Sequence, residues 1–274
     1  MTTDRTSTKL HRRELSLDGR QFTVLSPRPS VTERFATNYF HQTWHVISDA
    51  GSARLFGEIC WAMAFQRRER TLTVIDQRFL VPNPFDADPS RPIVIVNSDL
   101  GTPSPAGFDA LRSRLPLSSP SEGTVKVATP GLDIALADLK GFYRREEARG
   151  FGWRAGHRRP WVNETHGLSV IAAPAHVLRL WAPYLSRLGT SWYRGTDSTE
   201  LDGTDMDGEV QVLRDFKGCL SRAISTRERL FPGRASAPLT VEERERVWTD
   251  PARVRDAGRR AVTDRSQDLP PPAR

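Results

Sequence analysis

The sequence predicts an α/β layered fold of Rossmann-like type, with a mostly parallel sheet, an N-terminal β-hairpin and a helical C-terminal extension. Three observations carry this. Residues 43–76 read strand, small-residue loop, apolar helix, strand, with Asp76 closing the second strand. Continuous apolar runs at Pro92–Val96 and Leu168–Ala172 are those of strands covered on both faces. These runs alternate with stretches of helical period, the order that favours βαβ units.

The elements follow in order. Residues 1–11 are polar and are expected to be disordered. Leu15/Leu17 and Phe22/Val24 alternate on either side of Asp18-Gly19, a hairpin signal. A short helix is expected over 31–40. A strand closes at Val46-Ile47, and Ser52 is placed to N-cap a helix to about Arg67 that is apolar nearly all round and so buried. Thr71–Ile75 is β-branched, a strand. A helical crossover between two strands favours parallel, right-handed pairing. Pro82, Pro84 and Pro89 make 79–91 a loop. Helices are expected at 108–115, 132–149, 175–188, 210–230 and 241–248, and strands at 92–96, 124–128 and 168–172. The reading gives one α/β domain over 12–232 and an Arg-rich extension over 233–274, partly disordered.

The chain has 274 residues, 38% hydrophobic and 27% charged, the composition of a globular protein. No apolar run reaches the roughly 20 residues of a membrane helix, and the polar N-terminus has no signal-peptide pattern. The cytoplasm is the expected compartment, without membrane association. Cys60 and Cys219 are too few for a disulfide framework. The net charge is +7. Only Lys9, Lys126, Lys140 and Lys217 are lysines, so the excess is arginine, which a GC-rich coding sequence produces as readily as an anionic partner does.

Ligands of parallel sheets bind beyond the carboxyl ends of the strands. Asp49, Gly51 and Ser52, with Asp76 placed to hold ribose hydroxyls, are therefore the candidate cofactor-binding residues, and Ser98, Asp99 and His176 the candidate catalytic ones, His176 as general acid or base. The loop departs from the dinucleotide fingerprint: where glycines are needed it has Asp49 and Arg54 around Gly51. There is no Walker sequence and no Gly-x-Ser-x-Gly elbow, so the cofactor stays unassigned. A Ser98/His166/Asp99 triad is disfavoured, because His166 precedes its strand.

No metal site is expected. His41 and His45 have the spacing of a helical zinc pair, but Gln42 stands where the general base is needed. The acidic stretch from Asp197 to Glu209 contains only a fragment of a calcium loop. The basic, aromatic connector with Trp153, Arg154, Arg158, Arg159 and Trp161 is the candidate nucleic-acid surface, since arginine meets phosphate and tryptophan stacks on bases. Two functions follow. The first is an intracellular enzyme that handles a nucleotide-type or other anionic small molecule. The second is a non-catalytic protein that binds nucleic acid or a protein partner through the connector and tail.

Overall fold

A computed structural model describes residues 7–128, 131–149, 159–201, 208–234 and 237–250. The fold is α/β, built on two mixed sheets. The chain divides into two compact units, Met1–Val81 with Ser90–Arg214, and Pro82–Pro89 with Asp215–Arg274.

In the first unit β1 (Ser7–Leu17) and β2 (Arg20–Pro27) form the expected hairpin. Asp18 and Gly19 both take positive φ, 51° and 70°, as a two-residue turn matched to strand twist requires. β3 (Phe35–Phe40) and β4 (Thr43–Ser48) form a second hairpin where a helix was expected over 31–40. α1 (Ala50–Ala64) leads to β5 (Thr71–Ile75), then come β6 (Ile93–Asn97), α2 (Pro105–Arg112) and β7 (Gly123–Ala128). The helix expected over 132–149 breaks at Asp138 (φ −135°, ψ 72°) into α3 (Leu132–Ala137) and α4 (Leu139–Ala148). β8 (Trp161–Thr165), β9 (Leu168–Ala173) and α5 (Ala175–Arg187) follow. β10 (Thr196–Glu200) and β11 (Gly208–Leu213) replace the expected acidic loop and the start of the 210–230 helix.

The mostly parallel, Rossmann-like sheet is not what forms. One sheet has seven strands in the order β7-β1-β2-β5-β6-β9-β8, the other four in the order β10-β11-β4-β3. Among the described residues only β2/β5, β6/β9 and β4/β11 pair in parallel, and the other six pairings are antiparallel. The decisive departure is at β4-α1-β5. Its two strands enter different sheets, so no βαβ unit exists, and β5 runs antiparallel to β6 with Ile75 opposite Ile93. The apolar runs of β5, β6 and β9 reflect burial on both faces, not strand direction. On one face a core gathers Ile75, Ile93, Ile95 and Ile171 with α1, α5 and the inward residues Val46, Val210 and Val212 of the smaller sheet. On the other face Leu72, Val74, Val94, Val96 and Val170 pack with Phe108 and Leu111 of α2 and with Leu117. No described helix is long and apolar enough to cross a membrane.

The second unit holds α6 (Phe216–Leu230), α7 (Val241–Trp248) and the 82–89 loop. Thr240 and Glu243 close a capping box on α7, the expected helix there. Arg227, 2% exposed, ties the unit together: its guanidinium donates to Asp88 Oδ1 at 2.6 Å, to the Arg234 carbonyl at 2.9 Å and to the Ala237 carbonyl. Beside it Asp86 is 6% exposed. Burial pushes its carboxyl up from 3.8 to about 6; the Asp88 carboxylate adds to this, while the Asp88 N–H, Arg244 and Arg227 oppose it. The folded form therefore holds a proton between about pH 4 and pH 6 that the unfolded chain has released, and stability falls as pH rises through that window. Asp86→Asn is expected to stabilise this unit by up to about 3 kcal/mol at pH 7.5 and by much less at pH 4. Urea unfolding at the two pH values measures the difference, and equal gains would contradict it.

Candidate functional site

The residues expected to bind a cofactor do not converge. Asp49 caps α1, its Oδ1 accepting from the Ser52 N–H at 2.8 Å, and buried Ser52 accepts from the Arg34 N–H at 3.1 Å. Asp76 stands on the other sheet, fully buried, held by Arg78 at 2.6 Å and by the Leu117 N–H at 3.2 Å. A Cβ on Gly51 would meet only Asp49 Oδ1, at 3.5 Å, so the glycine is not needed for close approach. Gly51→Ala is expected to stabilise the protein by about 0.5–1 kcal/mol, through helix propensity and a less flexible unfolded chain. A fall in melting temperature would show that the first turn of α1 needs its glycine.

The segments that carry the candidate catalytic residues do come together. β6 and β9 are parallel with Asn97 opposite Ala173, so Ser98 and Asp99 emerge beside His176. The meeting is structural in its chemistry: Asp99 Oδ2 accepts from the Ala175 N–H at 2.8 Å and so caps α5, while Asn97 accepts from the Asp99 N–H at 3.1 Å and donates to the Met63 carbonyl at 2.9 Å. Asp76 lies at the opposite end of this sheet, a strand length of about 15 Å away, because β5 and β6 are antiparallel. Trp153, Arg154 and Arg158 lie outside the described residues. Arg159 is exposed, and Trp161 opens β8 half-buried against the core that α2 covers.

Sequence reasoning missed two arrangements. One is a cross-strand pair: His45 Nδ1 lies 3.1 Å from Glu209 Oε2, and Gln211 donates to the same oxygen at 2.8 Å. Burial would raise the Glu209 carboxyl, but hydrogen bonds from His45, Ser198 and Gln211 outweigh it and hold it below its ordinary range. Among the described residues no set of three His, Cys, Asp or Glu side chains is arranged to hold a metal.

The other is a groove of about 500 Å³, lined by Arg54 of α1, the α3–α4 junction from Leu136 to Lys140, and Ser186, Arg187 and Thr190 at the end of α5. The break at Asp138 falls within this lining. Three cations line it: Arg54, Lys140 and Arg187. Arg54 shares Glu58 at 3.3 Å and Asp133 at 4.0 Å. Lys140 and Arg187 have no ion-pair partner among the described residues. The one carboxylate of the lining, Asp138, is already engaged, accepting from the Gly141 N–H at 2.9 Å and from Arg145 at 3.3 Å. Those bonds, the backbone one first, hold it below the ordinary carboxylate range. Nothing in the sequence sets Lys140 and Arg187 apart from the other basic residues; they come together only in the folded chain.

No protein-family model, curated protein or solved structure matches this chain.

Proposed function

We propose that this protein binds an anionic small molecule, one bearing a phosphate-type or polycarboxylate group, in the groove between α1, α3–α4 and α5. The observation that carries the reading is the convergence of Arg54, Lys140 and Arg187 on a cavity whose one lining carboxylate is committed elsewhere. A volume near 500 Å³ suits a small ligand. Lysine and arginine supply what an oxyanion needs, a point charge and a planar donor fork. With Asp138 ionised and engaged, the lining favours binding over acid–base chemistry.

A thermal-shift panel at fixed ionic strength tests this, with pyrophosphate, nucleoside phosphates, citrate and a short single-stranded DNA as ligands. A small anion at about 100 times its dissociation constant is expected to add about 2.7 kcal/mol of stability, less at high salt. No shift with any small anion, or a shift with DNA alone, would overturn the reading.

A further inference from the structure

The seven-stranded sheet carries a second concentration of positive charge on its opposite face, the one α2 covers, away from the helices that form the groove. Alternation along β1 places His11 and Arg13 on that face with Leu15 and Leu17. Ser26, opposite His11 in β2, lies on the same face as Val24, and Asp76 follows Leu72 and Val74 of β5. Arg28 and Arg78 extend the cluster at this end of the sheet.

The charges do not balance. Asp76 is fully buried and bound in a fork by Arg78, whose Nε and Nη2 donate at 3.0 and 2.6 Å. Asp76 also accepts from the Leu117 N–H at 3.2 Å, and it makes no hydrogen bond to Arg13. Arg13, 4% exposed, has only neutral hydrogen-bond partners: its Nε donates to the Ser119 carbonyl at 2.8 Å and its Nη1 to Ser26 Oγ at 3.0 Å. Nη2 of Arg13 has no hydrogen-bond partner among the described residues, and the half-buried Arg28 side chain has none either. His11 Nδ1 is buried and unpartnered. Buried polar groups are ordinarily satisfied, and a buried guanidinium ordinarily faces an anion.

We propose that Arg13, Arg28 and His11, beside the Asp76–Arg78 pair, form a binding site for a compact oxyanion of phosphate type. The guanidinium Nη2 of Arg13 and the side chain of Arg28 supply charge-assisted donors, and His11 contributes an imidazolium once the anion is present. The electrostatics agree with the geometry. Burial, then Arg13, Arg28 and Arg78, hold the His11 imidazole below its ordinary value, so it is readily neutral while the site is empty. Burial and Arg78 lower Arg13, against the pull of Asp76. The residues opposite His11 on its neighbouring strands, Ser26 and Thr124, are uncharged and add nothing to its titration. An arriving dianion reverses the local field and raises the His11 value. The site shares no residue with the groove.

His11 NMR titration with sulfate tests this, because sulfate keeps its charge across the range in which imidazole titrates. Chloride holds the ionic strength constant. The expected result is saturable binding of sulfate, inorganic phosphate and a phosphomonoester. The His11 pKa should rise on binding. Tighter binding of the phosphomonoester than of inorganic phosphate would identify an esterified ligand as the source. Arg28→Gln, which removes no structural hydrogen bond, should weaken binding at least about tenfold. Arg13→Gln should abolish it where the variant folds. Lys140→Glu with Arg187→Glu should leave the His11 response intact, which separates this site from the groove. A His11 resonance that ignores all three anions, or Arg28→Gln that binds sulfate as wild type does, would overturn the proposal.

Discussion

Arg227→Leu is expected to destabilise the unit built from α6, α7 and the 82–89 loop by about 3–5 kcal/mol, the scale of removing one member of a buried ion pair. The reason lies in what is left behind. Asp88 Oδ1 loses its donor at 2.6 Å and keeps only the Leu239 N–H at 3.1 Å, with Arg244 Nε 3.7 Å from the other oxygen. The carbonyls of Arg234 and Ala237 lose their guanidinium donors as well. Arg227→Lys should recover little, because an ammonium cannot reach a carboxylate and two carbonyls in the planar fork that arginine supplies. Trp248, tilted against Phe85 at 5.8 Å between ring centroids, reports on this unit by fluorescence during denaturation. A loss below about 1 kcal/mol for Arg227→Leu would mean that the loop and helices are held by apolar contact alone.

Gly57→Ala is expected to cost about 2–3 kcal/mol, although helix propensity alone would favour alanine by about 1 kcal/mol. The packing term wins because α1 and α5 touch through backbone here. A Cβ on Gly57 would stand 2.6 Å from the Ala182 carbonyl oxygen and 2.8 Å from the Ser186 nitrogen, and would overlap Ser186 Oγ. Backbone atoms inside a helix cannot swing aside as a side chain does. The two helices would have to separate inside the core that both sheets share, and Gly57→Val should prevent folding. Thermal and urea unfolding of Gly57→Ala decide the sign; stability equal to wild type would show that α1 and α5 slide freely.

Much of this architecture was legible residue by residue, and its failures have physical causes. The first hairpin could be read because Asp18-Gly19 is a turn by its own chemistry. The second could not, because its turn is His41-Gln42, two residues held at φ 50° and 65° by the strands on either side. The same positions mimicked a helical histidine pair. α1 was visible from its apolar surface, but that surface meets both sheets, and the sequence of a helix does not say whether the strands before and after it join one sheet or two. That single ambiguity turned β4-α1-β5 into an apparent βαβ unit. The helix over 132–149 was periodic throughout, and its break is at Asp138, which caps α4 with its own side chain. β11 was absorbed into the helix that follows because Asp215, the N-cap of α6, lies inside the apolar pattern. Of the candidate sites, the segments carrying Ser98, Asp99 and His176 lie together because β6 and β9 pair in parallel, a neighbour relation the sequence did not give. The groove was illegible, since its cations come from three separate helices.

Calorimetric titration of pyrophosphate into the wild-type protein and into Lys140→Glu/Arg187→Glu decides whether the groove holds the anion. Both positions are exposed at the rim of the groove, so the variant should keep the fold. The groove is expected to bind pyrophosphate saturably in the wild type and at least about 100-fold more weakly in the variant, with any binding at Arg13, Arg28 and His11 common to both proteins and the melting temperature unchanged. Equal affinity in the two proteins would contradict it and move the anion away from the groove.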